Sequence, residues 1–371
     1  MWSSQVKLSS TRAFKVSLVL CIPVIAGFLN GCQWGERWKQ SAQRADSAFN
    51  EHQYPKCQKE IEQALIDLGP DRQASKERFN LLLLSGDSYT QDGKFDQAAG
   101  AYQQALTLGE TLFGPTSVNL YAPLNGLRGA TFREHKYDLA EGFSRRMLSI
   151  QEKAYGPEDA RVEPALSAVI GASCIAGKCS DETELLQRLL KIRTKMLGPN
   201  HKHTFVARQL LAEAYAHRRK YDDALLLYEA NLESAKHADA ALVPGALINL
   251  ARVEQSQHHF AQAEQKLQQA LVLQQLTTNK SATAGTLVAL ADVYKDAGKI
   301  DESIRTYKQA LDLTDEIPHK DNSILSKYLQ GYADALTKAG KQTQAAKVQK
   351  KIDRIAAESE DGKARQDKQS I

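Results

Sequence analysis

The chain has little of what catalytic and nucleic-acid-binding proteins carry in quantity. Of 371 residues, 7% are aromatic, ten are Pro and five are Cys, too few cysteines for a disulfide-built scaffold and too few prolines to break up long helices. Neither charge is in excess. There are 48 basic and 44 acidic residues, and because Lys7, Arg12 and Lys15 precede every acidic residue, residues 32 onward hold 45 against 44. Phosphate binding draws on a basic excess or stripe that displaces counterions, so nucleic acid is not an expected partner. A phosphate-cradling glycine loop, a nucleophile elbow and a metalloprotease helix are all missing. The longest apolar run, from Val16 to Leu29, would span about 21 Å as a helix, short of the roughly 30 Å bilayer core. These absences argue against an enzyme, a cofactor, a bound metal and a permanent transmembrane helix. What is abundant is Ala, Leu, Gln, Lys and Glu, which lose little on entering a helix, and the fold class expected is all-α.

The first 31 residues follow the layout of an export signal: a basic start, an apolar run and then Leu29-Asn30-Gly31-Cys32. That ending resembles the lipobox of bacterial lipoproteins. The resemblance implies cleavage before Cys32, acylation of its thiol and of the new amino terminus, and a short tether over residues 32–37. Gln33 stands where a retention Asp would sit, so the resemblance implies an outer-membrane destination in a cell that has one. An ordinary secretory signal and an uncleaved anchor are the alternatives.

The rest of the chain repeats itself. SGDSYTQDGKFDQAAGAYQQAL, LAEAYAHRRKYDDALLLYEANL and LADVYKDAGKIDESIRTYKQAL, opening at Ser85, Leu211 and Leu290, align without gaps. With the usually small residue near the start of each second helix as anchor, the series is Cys57, Ala98, Ala140, Glu182, Ala224, Ala263, Ser303 and Ala345, at intervals of 41, 42, 42, 42, 39, 40 and 42. Twelve residues earlier stands a mostly small column, Ala45, Gly86, Arg128, Ile170, Ala212, Ala251, Ala291 and Ala333, suited to a close helix crossing. Four residues after the anchor come Tyr102, Tyr228 and Tyr307, and nine before it Tyr89, Tyr215 and Tyr294. Five before it stand Gly93, Gly177, Gly298 and Gly340, with His or Arg in the other copies, where a helix end needs positive φ. Gly114-Pro115, Gly156-Pro157 and Gly198-Pro199 recur 42 apart and follow Gly69-Pro70; Gly ends one hairpin and Pro releases the chain into the next.

This combination resembles the tetratricopeptide repeat, in the longer form of kinesin light chains. It covers residues 38–358 and implies a right-handed α-solenoid of about eight helical hairpins, with 359–371 a polar, disordered tail. The copies anchored at Ala140 and Glu182 are the most degraded, and Ser144 and Gln349 stand where a large residue is expected.

The resemblance also implies an inner wall built from the first helix of each hairpin and lined by Asp87, Gln91, Phe132, Arg133, Glu213, His217, Arg252, Gln255, Asp292 and Lys295. Its mixed polarity suits capture of proteins or peptides. The asparagine row with which kinesin light chains grip peptide backbone is reduced to Asn125 and Asn249, and Leu83 and Asp87 stand where chaperone-binding repeats carry Lys and Asn, so neither of those ligands carries over. The expected function is a membrane-tethered scaffold of the bacterial cell envelope that faces the periplasm or exterior. A permanent subunit of a pilus or outer-membrane assembly is the alternative, and a metal or redox protein using His201, His203, Cys174 or Cys179 ranks behind both. Cys57 falls in the packing column, and Cys174 and Cys179 flank one hairpin turn, either as a disulfide or as two buried thiols.

Overall fold

A computed structural model describes residues 37–69, 72–275, 279–318 and 321–369, with side chains as far as 358. The proposed signal and Cys32 lie outside the described residues. Sixteen α-helices run through the described residues as eight consecutive hairpins. These are α1 (Arg37–Asn50) with α2 (Tyr54–Asp67), α3 (Lys76–Gln91) with α4 (Phe95–Phe113), α5 (Tyr121–Arg133) with α6 (Tyr137–Tyr155), and α7 (Glu163–Ile175) with α8 (Thr183–Leu197). Then follow α9 (Lys202–His217) with α10 (Tyr221–Ala238), α11 (Val243–Ser256) with α12 (Phe260–Gln274), α13 (Lys280–Asp296) with α14 (Ile300–Asp315), and α15 (Asn322–Lys338) with α16 (Gln342–Gln369). No described helix is long and apolar enough to cross a membrane.

Every anchor residue is buried, from Cys57, Ala98 and Ala140 to Ala345, and so are Ala64, Ala105, Ala270 and Ala310, the small residues seven positions further on. Small side chains at these crossings bring the two helices of a hairpin together. The turn between them is the same in all eight. The residue five before the anchor takes positive φ, as Gly93 (75°), Gly177 (76°), Gly298 (77°) and Gly340 (71°), and as His52, His135, Arg219 and His258 at 58–63°. The following amide then reaches back five residues, as in Lys94 N to Tyr89 O at 2.9 Å and Lys299 N to Tyr294 O at 2.8 Å, which satisfies a carbonyl at the helix end. A side chain at positive φ costs free energy that Gly avoids. At two of the non-glycine turns the imidazole is held in place, His52 Nδ1 by Tyr54 Oη and His135 Nδ1 by Tyr137 Oη, each at 2.8 Å.

The links between hairpins also recur. Gly114, Gly156 and Gly198 leave the second helix at φ 84–89°. Ser117, Asp159 and His201 then cap the next turn by accepting the amides of Asn119 (3.2 Å), Arg161 (2.9 Å) and His203 (3.2 Å). Each Gly-Pro carbonyl is held by an arginine of the following hairpin: Pro115 O by Arg146 (3.2 Å), Pro157 O by Arg188 (2.9 Å) and Pro199 O by Arg208 (3.0 Å). Arg146 also pairs with Glu110, and Arg188 with Glu152. Arg208, buried among neutral partners, bonds Asn231 Oδ1 (2.8 Å) and Ser234 Oγ (3.1 Å), and that burial pulls its pKa down.

Two expectations change. The copy anchored at Ala140, expected to pack less well because Ser144 replaces a large residue, lies with the equally degraded Glu182 copy in the largest core cluster, which runs from Ala98 to Ala214. Met147, Ile150, Leu166, Val169, Ile170, Leu186, Leu189 and Ile192 supply the bulk that the missing tyrosine would have given. The odd Glu182 is satisfied, accepting a hydrogen bond from Ser173 Oγ at 3.0 Å and pairing with Arg145. At the other end, the segment expected as a disordered tail continues α16 as far as Gln369. Ala, Lys, Gln and Arg extend a helix that packing has already nucleated, although the last buried side chain among those described is Ile355. Cys57 is a buried free thiol, while Cys174 and Cys179 join as a disulfide across the turn of the fourth hairpin.

Candidate functional site

First helices touch in three places, α3 with α5, α11 with α13, and α13 with α15, so they form a shared face over hairpins 2–3 and over hairpins 6–8. The ten residues expected to line the inner wall all lie on first helices. Eight of them fall into three groups, and Glu213 and Lys295 pair with neighbours on their own helices. Asp87 and Gln91 are exposed on α3, and Arg133 and His217 are exposed at the ends of α5 and α9. Phe132 turns into its own hairpin, its ring edge-on to Tyr137 at 5.4 Å, and is a packing residue more than a free contact. Arg252, Gln255 and Asp292 do come together, around a hollow of about 230 Å³ with Ile248, Gly285 and Val288. Arg252 and Gln255 also line an adjoining cavity of about 580 Å³ with Phe260, Asp296 and Lys338.

The tyrosine four residues after the anchor decides how this wall is built. Tyr102 rises from α4 between two helices that carry glycine where it passes: a Cβ on Gly86 would sit 2.5 Å from its ring and one on Gly126 2.4 Å. Its phenol reaches the wall and donates to Asp87 Oδ1 at 2.5 Å. Tyr307 repeats this against Gly331 and donates to Asp292 Oδ1, which also accepts from Lys295 Nζ at 2.7 Å. Burial, and then the neighbouring carboxylate, push both phenols well above their ordinary pKa. Asp87 opens onto the wall while its carboxyl is crowded by it, and that crowding raises its pKa against the opposing Tyr102 bond.

The third copy differs. Tyr228 is 3% exposed, and its phenol lies under the influence of Glu213 on α9 and Arg252 on α11 without a hydrogen bond to either. Burial first, and Glu213 second, raise its pKa, while Arg252 opposes them. Glu213 instead accepts from Gln209 Nε2 at 3.1 Å. Where the hairpins on either side carry Glu213 and Asp292, Arg252 stands in the same column. The fifteen-residue spacing in Asp87/Tyr102, Glu213/Tyr228 and Asp292/Tyr307 was the sequence signal that could have located this arrangement.

Other polar candidates have structural work. His201 caps α9, and His259 Nδ1 lies 2.9 Å from Glu254 Oε2. Among the described residues no three His, Cys, Asp or Glu side chains gather as metal ligands.

Residues 81–116 and 286–321 match the family model described as tetratricopeptide repeat. No curated protein matches the chain. Among solved structures, the chain is similar to the apo form of RapI at 12% identity, covering 76% of this chain and 99% of that one with a TM-score of 0.53. It is also similar to a Pyrococcus horikoshii signal-transduction ATPase with numerous domains and a tetratricopeptide repeat sensor, at 12% identity over 87% of this chain and 52% of that one, TM-score 0.53. A Podosopora anserina kinesin light chain with nearly identical repeats is 18% identical over 54% of this chain and 97% of that one, TM-score 0.44. The matched segments coincide with hairpins 2 and 7, and the same turn closes all eight hairpins, so the chain carries tetratricopeptide repeats.

Proposed function

We propose that the chain is a scaffold of the bacterial cell envelope, tethered to membrane lipid through Cys32, that holds segments of other proteins along the wall of first helices and catalyses no reaction. The observation that carries the binding reading is the pair of adjoining cavities on α11, α13 and α15, where polar groups and an apolar hollow share one surface. Peptide recognition uses such a mixture, with apolar pockets for affinity and a few placed polar groups for orientation. The tether rests on Leu29-Asn30-Gly31-Cys32 and the basic and apolar segments before it. Two or more acyl chains, at about 0.8 kcal/mol per buried methylene, would hold the chain at a bilayer. With α1 starting at Arg37, five residues after Cys32, the array would stand close to the membrane, facing the periplasm or exterior and on the outer membrane where the cell has one.

The intact mass of the chain extracted from membranes tests the tether. Loss of residues 1–31 with added acyl mass is expected, and an unmodified, uncleaved chain rejects it. The same spectrum, before and after reduction, reports whether Cys174 and Cys179 are joined in the cell.

One observation favours the second reading, a permanent subunit of a larger assembly. A groove of about 520 Å³ where α10, α11 and α12 meet has a floor of Leu232, Val243, Leu247, Val272 and Leu273, bordered by Lys236 and three glutamines, and Val272 is 61% exposed. Apolar surface of that kind suits an obligate contact. A permanent partner would stay in stoichiometric amount through detergent and high salt, whereas a recruited one would wash away.

A further inference from the structure

Hairpin 5 turns on four consecutive basic residues, His217, Arg218, Arg219 and Lys220, and all four are exposed. Two features set this turn apart from its sisters. The first is a break in a ladder of ion pairs. Four residues before the anchor, seven hairpins carry a lysine or histidine. Three of these reach an Asp of the preceding hairpin: Lys136 to Asp96 at 3.9 Å, Lys178 to Asp138 at 3.5 Å and Lys341 to Asp301 at 3.3 Å. Lys94, His259 and Lys299 pair with other carboxylates. Lys220 is the exception. Ser180 stands where its Asp would be, and the ammonium lies over the Tyr215 ring at 5.8 Å instead. The second feature is Arg219 itself, which takes φ 58° where four sister turns have glycine. The other side chains at positive φ are held by the aromatic residue two positions on: His52 and His135 by the hydroxyls of Tyr54 and Tyr137, and His258 edge-on to Phe260 at 5.6 Å. Tyr221 occupies that place beside Arg219, yet the guanidinium neither stacks on it nor joins an ion pair among the described residues. Backbone strain is thus kept for a side chain with no partner inside the fold, the kind of outlier that marks function.

We infer that the turn of hairpin 5 is a second docking surface, which takes an acidic peptide segment whose carboxylates pair with Arg218, Arg219 and Lys220. None of these residues lines either cavity of the first helices, so the surface goes beyond the wall reading. Guanidinium groups suit carboxylates because their planar fork donates two parallel hydrogen bonds to one acceptor group. Exposed pairs are individually weak, so the attraction comes from several acids meeting the turn together, and salt screens it. Asp222 and Asp223 decide between anionic partners. Both are exposed in the first turn of α10, directly after the basic run, and neither has an ion pair among the described residues. A bilayer presents a continuous negative plane that would press on these two carboxylates. A single extended segment places its acids against the arginines and leaves Asp222 and Asp223 clear.

The test titrates the full chain in mild detergent into a fluorescein-labelled peptide that alternates Glu and Gly, read by anisotropy at low and at physiological salt. Binding that weakens with salt is expected, with none for the matching peptide of Lys and Gly. Arg219→Gly should weaken it about threefold, and Arg219→Gly combined with Arg218→Gln about tenfold. Arg219→Gly installs the residue that four sister turns already use, so the melting temperature should not fall, which separates lost binding from lost fold. Lys341→Gln removes the same single charge from a paired lysine of hairpin 8 and should leave the affinity unchanged. An equal loss for Lys341→Gln would mean that the peptide follows net charge, and would overturn the inference. So would an affinity indifferent to both arginines, or no binding even at low salt. Micelles doped with phosphatidylglycerol that release the peptide where phosphatidylcholine does not would assign the turn to a lipid surface and overturn it as well. Each of these outcomes leaves the wall of first helices untouched, since the turn lines neither of its cavities.

Discussion

Hairpins 2–5 and hairpins 6–8 follow one repeat plan, but they use it differently. Most buried residues of the first block join one apolar cluster running from Ala98 to Ala214, with smaller groups at either end, and each of its Gly-Pro links is clamped by an arginine. In the second, the buried residues fall into smaller groups, such as Ala251, Ala263, Leu267, Leu290 and Val293, or Ala291, Tyr307 and Ala335. The anchor interval shortens to 39 on entering it and to 40 between its first two hairpins, and Gly-Pro links do not occur between its hairpins. The candidate cavities lie on this second block. In a solenoid each repeat is stabilised chiefly by its neighbours, so strength in one block and an open wall in another can coexist along a single chain. The molecule separates its largest core from its candidate cavities by position.

The largest expected effect asks whether the cores differ in how tightly they are held. Leu166 and Leu267 are both essentially fully buried, the first in the long cluster and the second in a group of five. Truncating a buried Leu to Ala costs about 2–5 kcal/mol, and the cost is higher where the surroundings cannot collapse into the space. Leu166→Ala is expected near the top of that range and Leu267→Ala near the bottom, read from urea unfolding of each variant. Equal losses would break the comparison, because the clamped links would then add nothing to the stiffness of the core around them.

An intermediate effect isolates the clamp itself. Arg188 and Glu152 are each less than a third exposed, and Arg188 also holds Pro157 O. Lys280 and Glu316, which pair between the seventh hairpin's two ends at 2.7 Å, are at least half exposed. Arg188→Gln should cost about 1–2 kcal/mol, because it removes a charge-assisted bond and leaves a carbonyl unpaired. Lys280→Ala should stay within about 0.5 kcal/mol, as exposed pairs do. A melting shift for Lys280→Ala as large as that for Arg188→Gln would mean that the two blocks are braced alike.

These contrasts mark how far the residues alone could be read. The period, the all-α class and the positive-φ turns were legible because each depends on local geometry: a Gly at the turn, a small residue at the crossing, a Gly-Pro at the link. The histidines at 52, 135 and 258 occupy the same turn, and the column position alone places them. What the pattern misjudged was the packing of the repeats at Ala140 and Glu182. Bulk that a tyrosine supplies in one hairpin comes from Met147, Ile150 and Leu186 in another, on helices that the alignment treats as degraded. The wall residues were assigned to the right helices, yet which of them share a cavity depends on curvature and side-chain partners. Phe132 shows the limit: its column faces the wall, but Tyr137 takes its ring into the turn. The uncommitted phenol of Tyr228 was out of reach for the same reason, since its sequence context matches that of Tyr102 and Tyr307 and only the partners differ.

The smallest effect tests a feature the two blocks share, and so bounds the comparison from below. Asp159 caps the link before α7, holding the Arg161 amide at 2.9 Å and the Arg161 guanidinium at 2.8 Å, and Asp321 caps α15 through the Ser323 amide at 2.8 Å. The Arg161 side chain and then its amide lower the Asp159 pKa to about 2, and bonds from Ser323 lower that of Asp321. A carboxylate whose folded pKa lies below its unfolded value of about 3.9 stabilises the fold above that value and loses this contribution as pH falls through the folded pKa. Both caps should therefore weaken on acidification, Asp159 over the interval from about 3.9 down to about 2. Hydrogen exchange at the Arg161 and Ser323 amides reads each cap separately: protection should fall with pH at both, and Asp159→Asn should abolish the pH dependence at Arg161 alone. Because each cap holds only the first turn of a link or helix end, neither change should move the global melting temperature. If acidification released Ser323 but left Arg161 protected, the clamped block would differ from the open one even in its caps, down to chemistry that the repeat plan makes identical.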